Sequence, residues 1–138
     1  AGGIYNDFAA AQLTASGTLD ASFGQGGLMT HAVSATNWDN ATAVVRQADG
    51  KFVLGGWAYS GNSSSGDFAA IRLLANGSLD TGFGSAGVAI NAGAANGRND
   101  SARGMVLQAD ERISTVRAIL AGELGNGPND FALMRLWL

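Results

Sequence analysis

Residues 67–84 read DFAAIRLLANGSLDTGFG. Nearly the same phrase stands at residues 6–24, NDFAAAQLTASGTLDASFG, and its opening returns at residues 130–136 as DFALMRL. The spacing is 60 residues from Asp7 to Asp67 and 63 from Asp67 to Asp130. A period of this size marks a repeat architecture, in which one supersecondary unit cannot bury its own apolar face and needs neighbours. The fold class follows from that repeat rather than from any local pattern.

Between the copies the chain reads as short strands divided by turns. LMTHAV (28–33), ATAVVRQ (41–47), KFVLGGWAY (51–59) and DFAAIRLL (67–74) are strand candidates, rich in β-branched and aromatic residues. Asp49-Gly50 between the second and third is a hairpin signal, because Asp-Gly tolerates the positive φ of a tight turn. The second copy supplies VAINA (88–92), SARGMVLQ (101–108), a strand near 112–121 and FALMRLWL (131–138), and DFAAAQL near the N-terminus adds one more. Four short antiparallel strands per unit is the pattern of a propeller blade. The expectation is an all-β protein: two four-stranded antiparallel propeller-like blades plus one extra N-terminal strand. It is a single repeat domain over 1–138, with a partial repeat at 1–25, a first blade at 26–74 and a second at 86–138. One segment conflicts with its mate. In residues 111–124, Ile113, Val116, Leu120 and Leu124 share a helical face, which Gly125 would cap. Agreement of the other strands with their equivalents favours a strand here, with a helix as the alternative.

Composition narrows the function classes. The chain has 138 residues, enough for a domain with a real core, and is 46% hydrophobic but only 8% aromatic. Its 25 Ala and 21 Gly make up a third of the chain, which suits sheets packed closely on both faces. Charge is sparse at 14% with a net of −3 and one lysine, Lys51, so neither a nucleic-acid footprint nor a polybasic membrane patch is present. There is no cysteine, which excludes disulfides and thiolate metal sites. No apolar run approaches 18 residues, so membrane insertion by a helix is not expected. AGGIYNDF at the start has neither a basic nor an apolar leader region and begins in mid-repeat, which suggests a processed or excised piece.

The reactive residue types follow the repeat. Asp7, Asp67 and Asp130 are equivalent, as are Asp20 with Asp80, Asp39 with Asp100, and Asp49 with Asp110. All nine aspartates thus fall at repeated turns or strand edges, where a carboxylate accepts bonds from nearby amides. They read as structural, and no catalytic residue is assigned. Only Glu111 and Glu123 break the symmetry. His31 is the one histidine, with Asn91 or a close neighbour as its mate, and no G-x-S-x-G elbow accompanies it. It reads as a solvated strand residue, and one histidine without cysteine gives no zinc site. FGQGG and FGSAG are not phosphate loops, and Gly24/Gly84 and Gly27/Gly87 read as positions needing unusual φ. Trp57 and Tyr59 share a strand face, with Trp38 in the preceding loop. Aromatics among Asn and Ser suit stacking on a sugar, so these three are the candidate ligand-binding residues, against packing between blades. Formal glycosylation sequons at Asn40, Asn62, Asn76 and Asn99 carry little weight in so Asn- and Ser-rich a chain.

DFAAIRLLANGSLDTGFG (67–84), the Asp39/Asp100 turn and QADGKFVLGGWAY (47–59) resemble the delta-60 repeat of long bacterial surface or secreted proteins. The resemblance implies a propeller-like stack of blades, an extracellular or cell-surface location and a scaffold or interaction role, with no encoded catalytic residues and no cofactor. Gln12 departs from the pattern of Arg72 and Arg135, and Asp110-Glu111 replaces the Asp-Gly turn. Two blades do not close a ring, so the expected behaviour is self-association or pairing with neighbouring blades through open edges. The alternatives are a carbohydrate-binding module with a glycan partner, and a hydrolase such as an esterase with His31 as base.

Overall fold

A computed structural model describes residues 5–59, 65–91, 99–110, 115–123 and 131–138. It contains nine strands: β1 (Phe8–Ala11), β2 (Leu28–His31), β3 (Asp39–Arg46), β4 (Phe52–Tyr59), β5 (Gly66–Leu73), β6 (Val88–Asn91), β7 (Ser101–Asp110), β8 (Thr115–Glu123) and β9 (Phe131–Trp137). There is no helix among the described residues. The conflict over 111–124 resolves to strand for Thr115–Glu123, which pairs antiparallel with β7 on one side and β9 on the other. Ala118, Leu120 and Gly122 are buried at period two, and the strand ladder overrides the helical spacing. Ile113, Leu124, Glu111, Asn62 and Asp130 lie outside the described residues.

The strands form three antiparallel sheets, ordered β1-β2, β3-β4-β5-β6 and β7-β8-β9. This differs from the grouping expected from the sequence. Residues 26–74 are not one sheet: β2 pairs with β1, so neither is an extra strand, and the four-stranded sheet runs from Asp39 to Asn91. Likewise Val88–Asn91 belongs to that sheet and not with β7–β9. The reason lies in the repeated phrase itself. After β5 the chain folds back through isolated bridges at Leu73↔Leu79 and Ser85↔Val88, and Asp80 N donates to Arg72 O at 2.8 Å. After β1 the same loop forms, with bridges Leu13↔Leu19 and Gln25↔Leu28 and Asp20 N donating to Gln12 O at 2.8 Å. The phrase DFAA…GFG is therefore the first strand and the loop of a strand–loop–strand unit, and the sheet boundary falls after that unit, ahead of Asp39 and Asp100. The returning turn needs Gly24 and Gly84 at φ 56° and 54°, where a Cβ would run into the Leu28 and Val88 carbonyls. Gly27 and Gly87 are also at positive φ, as their period suggested.

The core sits between the sheets, in two layers. Alternation along β4 and β5 sends Leu54, Ala58, Ala69, Ile71 and Leu73 to one face, against Phe8, Phe23 and Met29 of the first sheet region. Val53, Phe68 and Ala70 point the other way, against Ala102, Ala118, Leu120 and Met134 of the third sheet. All eight residues of β5 are buried, which is why its centre, Phe68 to Ile71, is apolar on both faces although Asp67 and Arg72 flank it. Burying each large aliphatic or aromatic side chain stabilises by about 1.5–3 kcal/mol. Small residues set the spacing: a Cβ on Gly55 would stand 2.8 Å from the Leu120 side chain. Gly56 serves the sheet's own bulge between Ala41 and Ala43, since a Cβ there would strike the Asn40 carbonyl. Gly122 repeats this against Ser101 across the Ala102/Gly104 bulge.

Candidate functional site

The aspartates divide by environment. Asp20 and Asp80 stand in the two equivalent loops, where Oδ1 accepts from the amides of Ser22 at 3.0 Å and Gly82 at 3.1 Å. Asp49 accepts from the Lys51 amide at 3.2 Å in the β3–β4 turn. Asp39, Asp67 and Asp110 lie within strands, at or next to their ends, rather than in turns. Asp39 is fully buried and ties the first sheet to the second. Its Oδ1 accepts from Phe8 N at 2.8 Å, and its Oδ2 from Val33 N and Ser34 N, both at 2.9 Å. Burial pushes the Asp39 carboxyl above its ordinary value, and the Ser34, Val33 and Phe8 amides pull it back. Asp100 repeats the position, buried with its amide donating to Gly66 O at 2.7 Å. The Asp39 carboxylate receives backbone amides in the interior and is not turned toward an open site.

The aromatic candidates are brought together only in part. Trp57 and Tyr59 meet edge to face, centroids 5.9 Å apart, and the Trp57 ring also lies against Gly66. Trp38 stands one residue ahead of β3, half exposed, and makes no ring contact with them among the described residues. Glu123, the partly symmetry-breaking acid at the end of β8, is exposed and faces Arg103 at 3.6 Å. No group of three or more His, Asp or Glu is placed to hold a metal among the described residues.

Clefts open on this framework among the described residues. A polar one of about 580 Å³ lies between the two equivalent loops and is lined by Ser22, His31, Asn76 and Ser78. The Ser22 hydroxyl donates to Asp20 Oδ1 at 2.6 Å, so its proton is turned away from His31. An apolar groove of about 380 Å³ runs along the first face of the four-stranded sheet, beside β1. Ala9, Ala11, Ala43, Val44, Phe52 and Leu54 line it, and Val44 is 61% exposed. The far face of the third sheet is open too, with Val106 60%, Leu133 64% and Trp137 61% exposed. Sequence reasoning missed both surfaces, because each arises from which sheet faces which and not from any local motif. The usable signal was present in β9: its pattern FALMRLW puts large apolar residues on both faces.

Sheets of this topology, stacked face to face with repeated loops, define a β-propeller-like repeat domain. A family model described as "Domain of unknown function (DUF5122) beta-propeller" matches residues 1–23 and 47–83, under half of the chain. These stretches include most of both strand–loop–strand units and the β4 strand that joins the second. No curated protein and no solved structure matches the chain.

Proposed function

We propose that the chain is a non-enzymatic scaffold or interaction module of the delta-60 repeat kind, extracellular or on a bacterial surface, that works by assembling with further copies or blades. The observation that carries this reading is the open face of the third sheet. By strand register, Ile119 and Leu133 occupy the places of Val53 and Ala70, which the four-stranded sheet buries completely against its neighbour. The third sheet thus repeats an apolar face that elsewhere in the same chain is covered by another sheet. An exposed apolar face of this kind marks an association surface. The test is mass in solution by light scattering across micromolar concentrations. Oligomers are expected, and a well-folded chain that stays monomeric throughout defeats the reading. The alternative is a lectin-like module using Trp38, Trp57 and Tyr59, favoured only by the exposed Trp38 ring beside a paired Trp57 and Tyr59. A glycan array distinguishes it: reproducible binding that a Trp38→Ala variant loses supports the lectin. The esterase alternative requires His31 as base, and ester hydrolysis unaffected by His31→Ala removes it.

A further inference from the structure

The apolar groove beside β1 has a template within the same molecule. β4 lies along β5 with Phe52 opposite Leu73, Val53 opposite Arg72 and Trp57 opposite Phe68. At the head of β4, Lys51 Nζ reaches Asp80 Oδ2 at 3.0 Å, and Arg72 Nε reaches the same oxygen at 2.8 Å. On its other face β4 packs Gly55 onto Leu120 and Met105 of the third sheet. Every acceptor part of this arrangement recurs around the groove. β1 stands in the place of β5, with one edge unpaired among the described residues. Leu54 and Val44 stand in the places of Leu120 and Met105. Asp20 stands in the place of Asp80, but its Oδ2 receives the Gln12 amide, at 2.8 Å, where that of Asp80 receives two cations, and no cation reaches it among the described residues. Gln12 Oε1, in the groove wall, is a buried oxygen without a partner. A carboxylate and an orphan amide oxygen at the end of an apolar trough ask for a cation delivered by an apolar strand.

We infer that this groove receives a strand pair of the β3–β4 kind from another unit of the same repeat, with the β4-type strand added to the edge of β1 and its leading basic residue placed on Asp20 and Gln12. This rests on the assembly reading above and names the docking site and the partner's chemistry. Main-chain bonds to β1 supply affinity, as in strand addition to an exposed sheet edge, and the alternate side chains and the cation supply register. By the β4–β5 register, the incoming equivalents of Val53, Gly55 and Trp57 stand opposite Gln12, Ala10 and Phe8.

The probe is a labelled synthetic peptide of residues 39–59 added to the intact chain, read by fluorescence anisotropy and by hydrogen exchange. Saturable binding with new protection of the β1 amides is expected. A Val44→Asp chain should lose it, since Val44 is exposed in the groove and its replacement leaves the fold intact. A peptide carrying Lys51→Glu should bind about tenfold or more weakly. Absence of binding to the folded chain, or binding indifferent to Val44→Asp, overturns the inference. Against failure of the free peptide to order, residues 39–65 are joined ahead of Asn6 in one polypeptide. That tethered chain should melt at higher temperature than its Lys51→Glu version, and equal melting overturns the inference as well. Light scattering separates the two readings: oligomers that persist in the Val44→Asp chain keep the assembly reading and sink this site, whereas a monomer that binds the peptide does the reverse.

Discussion

The two strand–loop–strand units, residues 8–31 and 68–91, share a backbone and differ in what holds it. In the first, Asp20 is met by the neutral Gln12 and Phe23 packs edge to face on Phe52 at 5.8 Å. In the second, Asp80 is met by Lys51 and Arg72, and the Arg72 guanidinium lies 5.0 Å over the Phe83 ring. The second unit is covered on both faces; the first is covered on one and anchored from outside by Asp39. A loop geometry fixed by glycines and main-chain bonds thus tolerates exchange of its polar chemistry, provided one acceptor, the aspartate, stays. The ion cluster appears where a neighbouring strand arrives to contribute to it.

Removing the anchor should separate the units most sharply. Asp39→Ala leaves three amides without their acceptor, Phe8 and Ser34 among them in the interior, and should cost about 3 kcal/mol or more. Hydrogen exchange should show β1 and β2 losing protection while β5 and β6 keep theirs; equal loss in both units breaks the comparison. Next comes the loop acid. Asp80→Asn should lower the melting temperature more than Asp20→Asn, because Asp80 Oδ2 holds two cations where Asp20 Oδ2 holds one neutral amide, and the reverse order would count against the ion cluster. Acid should tell the same story. The Lys51 contact chiefly lowers the Asp80 carboxyl and the Ser22 hydroxyl chiefly lowers that of Asp20, so both stabilise above their ordinary value of 3.8 and lose this as pH falls through the lowered values. Asp39, raised by burial, works in the opposite sense: its contribution is present below 3.8 and is lost as pH rises through the raised value. Asp80→Asn should therefore flatten the acid limb of a stability-against-pH curve. The smallest effect is expected from Ala86→Gly, which gives the second loop the residue found at Gly26. Ala86 sits at φ 52° and Gly26 at 63°, so relief of the left-handed conformation should stabilise by about 1 kcal/mol in chemical denaturation.

The strands, the glycine turns and the matching of Asp20 with Asp80 and of Asp39 with Asp100 were legible in the sequence, because each rests on local chemistry repeated at a fixed period. The sheet boundary was not. Nothing in LMTH says whether it pairs with the strand before or after it; the decision is made by the Gly24 and Gly27 turn, which returns β2 to β1, and by Asp39, which ends one sheet as it opens the next. The helical spacing of Val116 and Leu120 competed with the strand reading, and pairing with β7 and β9 outweighs it. The aromatic candidates were visible as residues, but that Trp57 turns its ring to Gly66 and Tyr59 depends on the neighbouring strand. The groove and the open face of β7–β9 needed the stacking order.

One bond joins the two bulges. The Thr42 hydroxyl, at the Ala41/Ala43 bulge, donates to the Ala102 carbonyl at 2.7 Å, at the bulge of the next sheet. It ties consecutive layers together at their bulges and is one of the contacts that hold one in register on the other. The corresponding residue of the third sheet is Arg103, which has no hydroxyl to offer. A layer stacked beyond it would have to be joined by some other contact, so the repeat period alone does not dictate how successive layers are tied.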